Sequence, residues 1–166
     1  VHLLMPDIEN PALSASLKRE MRLSLIEARR LIEGNIAVLA ARNATSEQIC
    51  ELKQIFESYQ DLTMSQSYHL ALSGPHHDFH LKLAEMSQNP FFVPVVETLI
   101  RAIPQGLREN EFNSLSDPDP DTILATEVSL HGAILDAVSR REGLAVGKAM
   151  DAHMDFERSL VLQVFQ

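Results

Sequence analysis

One stretch near the start constrains the fold more than any other. Between Leu13 and Ala41 the apolar residues Leu17, Met21, Leu25, Ala28, Ile32, Ile36 and Leu39 recur at steps of three and four. A strand repeats every two residues, whereas a repeat near 3.6 lays side chains along one stripe of a helix. A helix with one apolar stripe cannot bury it alone, so the stripe demands partners. The rest of the chain reads as those partners. Thr45 and Gln48 have capping-box spacing and open a helix with Ile49, Leu52, Ile55, Phe56 and Tyr59. Asp61 to Ser73 reads as a short third helix. Pro75, after Gly74, suits a first helical position, and that helix carries Phe79, Leu83, Ala84 and Met86 before stopping near Asn89-Pro90. The next begins at Pro90 and meets Pro104 and Gly106, which should end or kink it. Ser114 to Asp121 reads as a loop, and Thr122 to Val138 and Leu144 to Phe165 as the final helices. The expected architecture is all-α, an antiparallel bundle of six or seven helices, with a lead-in over residues 1–12 and one domain over 13–166.

Composition narrows the function. The net charge of −9 argues against this chain gripping nucleic acid by itself, because phosphate neutralisation needs a basic surface. A lone cysteine, Cys50, excludes an internal disulfide and suits a reducing compartment; its place in a helical pattern suggests a small core residue. No apolar run reaches the ~18–20 residues that span a bilayer, and Val1 to Pro11 lacks the features of a signal peptide. A cytoplasmic location is therefore expected. There is no phosphate-binding glycine loop, nucleophile elbow, cysteine-pair zinc motif or Glu-x-x-His. Asp117, Asp119 and Asp121 alternate, but the intervening prolines depart from a calcium loop.

Histidines carry the chemistry. His76 and His80 lie four apart and share a helix face, with His77 able to compete for the same role. His131 and His153 each sit on an otherwise apolar face of a different helix. Singly, each reads better as an ordinary core or surface histidine; together, imidazoles from facing helices are a way to build a metal site inside a bundle. Neutral imidazoles suit zinc, nickel, copper or iron. Arg29 and Glu33, four apart on the first helix, are either a surface ion pair or a guanidinium reaching into the cavity to hold a carboxylate. Arg30 is expected to face water, and His2 and His69 have no such context.

The chain resembles the C-terminal effector-binding (FCD) domain of GntR-type bacterial transcription regulators of the FadR subfamily. Four stretches carry the resemblance: 27–33, Glu-Ala-Arg-Arg-Leu-Ile-Glu, with 37–41; 76–90, His-His-Asp-Phe-His through Ser-Gln-Asn-Pro; 131–137, His-Gly-Ala-Ile-Leu-Asp-Ala; and 145–153, ending in a histidine. It spans roughly residues 13–165. The resemblance implies a helical bundle around a cavity where an Asp and three His hold a divalent metal, zinc or nickel, that helps bind a small carboxylate effector. Carried over, the metal ligands are His76, His80, His131 and His153, and the effector contacts are Arg29 and Asn89. His76 stands where the family usually has Asp, so either it ligates in a less anionic site or it leaves a position open. The resemblance also implies a homodimer that meets DNA through a winged helix-turn-helix. Val1 to Leu13 is too short to hold one, so the chain reads as the sensor half. No enzymatic activity is expected. The rival reading is a metal-dependent hydrolase or oxygen-handling bundle, with Glu127, one turn before His131, as the near acid or base. A scaffold with incidental histidines is the third.

Overall fold

The computed structural model describes residues 6–8, 10–64, 74–103 and 120–165. Within them the chain forms six helices and no strand: α1 (Ala15–Asn43), α2 (Ser46–Met64), α3 (Pro75–Met86), α4 (Phe92–Arg101), α5 (Pro120–Ser139) and α6 (Gly143–Val164). The all-α expectation holds. Residues 61–64 continue α2 rather than starting a helix of their own, and the remainder of that predicted helix lies outside the described residues, as do His2, His69, Pro104, Gly106 and most of the 114–121 loop.

Local signals explain the boundaries. Ser14 caps α1 through its hydroxyl, which accepts from Leu17 N. The Thr45–Gln48 capping box forms in both directions: Gln48 Oε1 accepts from Thr45 N at 3.0 Å, and Thr45 Oγ1 from Gln48 N at 3.2 Å. Between α5 and α6, Glu142 N donates to Ala137 O and Arg141 N to Val138 O, the paired bonds of a left-handed helix end. Arg141 takes the positive φ of 58° there, a position usually given to glycine. Its guanidinium reaches the end of α1 and donates to Ala44 O at 2.7 Å, placing a cation on the negative end of that helix.

Arg141 near Ala44 at one end and Arg29 against Glu157 at the other set α1 and α6 antiparallel. A main core of Ile26, Leu52, Phe79, Leu83, Met86, Ile134, Val138, Met150 and Met154 joins α1, α2, α3, α5 and α6. A smaller cluster, Ile36, Ala84, Val96 and Ile100, seats α4 on α1 and α3.

Two sequence expectations need correction. Between Arg22 and Glu33, α1 buries Arg22, Ile26, Arg29 and Glu33, a stripe rotated from the apolar one, while Leu17 is exposed. The polar residues turn inward because the centre of the bundle is polar and offers them partners. Cys50 is exposed, not a core residue. The buried positions of α2 are Leu52 and Tyr59, with Ile49, Ile55 and Phe56 partly covered. At ~100° per residue, position 50 lies about 200° from Leu52 and faces out.

Candidate metal centre

The four histidines converge. α3 supplies His76 and His80, α5 His131 and α6 His153; all four are buried, and one nitrogen from each lies within 4.8 Å of all the others. The phase of each helix produces this: Phe79 and Leu83 carry the α3 histidines inward, Ile134 sets His131, and Met150 and Met154 set His153. His77 stays partly exposed and outside the group. Tyr59 of α2 lies against His131 and His76 with ring centroids 5.2 and 5.8 Å away.

Around the imidazoles stands a shell of acids and one arginine. Glu33 Oε2 lies 2.6 Å from His80 Nδ1, and Arg29 Nε donates to Glu33 Oε1 at 2.8 Å. Arg29 Nη1 donates to Glu157 Oε2. Glu157 Oε1 lies 3.4 Å from His153 Nε2, and Glu127 Oε2 lies 3.5 Å from His153 Nδ1. The Arg29–Glu33 pair is therefore fully buried and not a surface pair. Arg30, half-buried, pairs with Asp155. Glu157 escaped the sequence reading, although its place four residues after His153 puts it on the same helix face. Asn89 lies beyond the end of α3, half-buried, where its Oδ1 accepts from Phe91 N at 3.1 Å.

Protonation follows from burial and partners. Burial works to raise Glu33, but the Arg29 guanidinium and His80 outweigh it and hold the carboxyl at about 2. Arg29 is raised against its own desolvation by Glu157 and Glu33. Burial, aided by His80, pushes His131 down to about 3, and burial with His131 beside it pushes His153 well below its ordinary value. His131 and His153 are neutral imidazoles at physiological pH, the form that ligates metals.

The tautomers can be assigned from the partners, since hydrogens are set by the network around them. A carboxylate at His80 Nδ1 and the Glu127 carbonyl at His131 Nδ1, 2.7 Å away, can only accept, so each ring carries its proton on Nδ1. With both rings neutral, the form a metal requires, the two Nε2 atoms present lone pairs and face each other at 3.3 Å. Two acceptors at that distance repel unless a cation or proton lies between them. Nitrogens each ~2.0–2.1 Å from one tetrahedral ion would stand about 3.3–3.4 Å apart. Carboxylate and carbonyl partners on the far ring nitrogens are the usual outer support of ligating histidines. The residues present fit a metal ion, and the cluster could hold one.

Comparison with known proteins agrees with the fold. A family model described as the FCD domain matches residues 24–156. The chain is 30% identical over 141 residues to the Uxu operon regulator of Haemophilus influenzae, covering 79% of this chain and 47% of that protein. It is 29% identical to the Uxu operon transcriptional regulator of Escherichia coli, covering 84% of this chain and 53% of that protein. The chain thus spans about half the length of the curated relatives it matches. Among solved structures, Streptococcus agalactiae GntR superposes with a TM-score of 0.70 at 21% identity, over 93% of this chain and 66% of that one. E. coli McbR/YncC gives 0.72 at 16%, over 86% and 65%. Both curated relatives are named as operon regulators. With the FCD model matching residues 24–156, the chain belongs to the FCD domain family.

Proposed function

We propose that residues 13–166 form the effector-sensing domain of a bacterial GntR/FadR-type transcription regulator. In this reading His76, His80, His131 and His153 hold a divalent metal, zinc or nickel. A small organic acid binds at the metal and Arg29, and its binding controls DNA contact by a separate winged helix-turn-helix. The observation that carries the reading is the pair of facing Nε2 atoms of His80 and His131, 3.3 Å apart with their Nδ1 atoms already engaged. A metal held there supplies a positive centre for a carboxylate. The chain's own part is to hold the rings: Glu33 fixes His80, the Glu127 backbone fixes His131, and Glu33 anchors Arg29 beside them.

Asn89 is the second proposed effector contact. With Oδ1 engaged by Phe91, its carboxamide nitrogen is the group offered. A homodimer is part of the same proposal, since helix-turn-helix proteins read paired half-sites. Cytoplasmic placement is too; no described helix is long and apolar enough to cross a membrane. Glu127, the acid of the hydrolase alternative, is buried with its carboxylate 3.6 Å from His131 Nδ1 and 3.5 Å from His153 Nδ1.

Thermal unfolding of chelator-stripped protein tests the proposal. Added Zn²⁺ or Ni²⁺ should raise the Tm, and a panel of small carboxylates should raise it further only when metal is present. His131→Ala should abolish both responses. A Tm that ignores both metals would refute the reading.

A further inference from the structure

Arg29 is committed before any ligand arrives. Its Nε donates to Glu33 and its Nη1 to Glu157, while Nη2 is buried with no hydrogen-bond partner among the described residues. A carboxylate engages a guanidinium as a fork, through two adjacent N–H groups. With Nε held by Glu33, the remaining fork is Nη1 with Nη2, and Glu157 occupies half of it. The other oxygen of Glu157 lies 3.4 Å from His153 Nε2. One side-chain carboxylate therefore spans the guanidinium and the histidine cluster, where a small acid bridging the two would sit.

We propose that Glu157 is a built-in competitor whose carboxylate caps Arg29 in the ligand-free domain and is displaced when a small carboxylate binds. The proposal rests on the function proposed above and adds how the site is regulated. Glu33 is the wrong acid for this part, because it shares α1 with Arg29 and holds His80 at 2.6 Å, against the 3.4 Å that separates Glu157 from His153. Glu157 comes from a different helix and is the most exposed of the acids in contact with the cluster, its side chain at 8% against 3% for Glu33 and Glu127. The incoming carboxylate replaces an equal charge, so Arg29 stays neutralised throughout. What changes is the seam: Arg29–Glu157 is a buried ion pair between α1 and α6, and its loss gives the ligand different affinities for two packings of those helices.

The test uses the cobalt-loaded domain titrated with acetate, followed by visible absorption. Glu157→Gln keeps the shape and removes the competing charge, so it should bind acetate at least tenfold more tightly than the wild type. Equal or weaker binding by a folded Glu157→Gln protein overturns the proposal. A second arm needs no variant: in wild-type protein loaded with diamagnetic Zn²⁺, saturating acetate should move the side-chain carboxyl ¹³C resonance of Glu157 well beyond that of Glu33. A Glu157 resonance that stays put also overturns it. A wild type that gives no cobalt spectrum removes the metal reading and this proposal with it. A normal cobalt spectrum with acetate affinity indifferent to Glu157→Gln removes only the role of Glu157.

Discussion

Replacing Glu33 by glutamine removes one charge from the centre of the bundle while keeping its volume. The wild-type carboxylate accepts from Arg29 with one oxygen and meets His80 with the other, both in full burial. A glutamine has one acceptor and must abandon one of the two. The cost follows from the carboxyl being held at about 2 instead of 4.5. At ~1.4 kcal/mol for each tenfold change, the folded environment favours the carboxylate by about 3 kcal/mol. That agrees with the ~3–5 kcal/mol expected when one partner of a buried ion pair is removed. Urea unfolding in the presence of chelator, followed by circular dichroism, should show Glu33→Gln less stable by about 3 kcal/mol at pH 7 with an unchanged m value. For a chain of this length that is a Tm lower by roughly 6–12 °C. The difference also has a pH window. A carboxyl depressed on folding contributes stability above its unfolded value of 4.5 and loses it as pH falls through about 2. Wild type and variant should therefore converge as pH drops from 4.5 towards 2. Glu97→Gln, in an exposed pair with Arg101, should change little and serves as control. A Glu33→Gln protein as stable as the wild type at pH 7 would refute the reasoning.

Three further outcomes follow from the same structure. His131 is depressed to about 3 on folding, so unfolded chains bind its proton near 6.5 while folded ones do not; the chelator-treated domain should lose stability steadily from pH 7 to pH 5, and a flat urea midpoint across that range would contradict the burial of the cluster. Thr45→Ala should cost about 1 kcal/mol by removing one half of the capping box, measured by urea unfolding, and a loss below a few tenths would show that α2 does not rely on it. Cys50 should react with a thiol reagent in the native domain as fast as in urea, because it is exposed; slow native reaction would return it to the core.

The helices were legible because periodicity, caps and breakers agree over long stretches. Thr45, Gln48 and Pro75 mark starts that the structure reproduces with those residues in those roles. The histidines were legible as a set because each sits on a face whose apolar neighbours must point inward. What stayed hidden depends on the fold's polar centre. An apolar stripe was read on α1, yet Arg22, Arg29 and Glu33 are the buried residues there, since hydrophobic pattern says nothing about a charge that finds its partner 128 positions away. Glu157 went unread for the same reason: its meaning comes from Arg29 across the α1–α6 seam. Arg141 ends α5 in a left-handed conformation while Gly143 stands nearby; the structure ties it there by its reach to Ala44 O, a contact between distant parts of the chain.

Metal content tests the central claim most directly. Untagged protein purified without chelator, analysed by mass spectrometry beside a His80→Ala/His131→Ala variant, should carry about one zinc or nickel per chain, and the variant none. Wild-type protein that carries no metal, and whose melting is unmoved by added Zn²⁺ or Ni²⁺, would contradict the account and leave the four histidines a packed core.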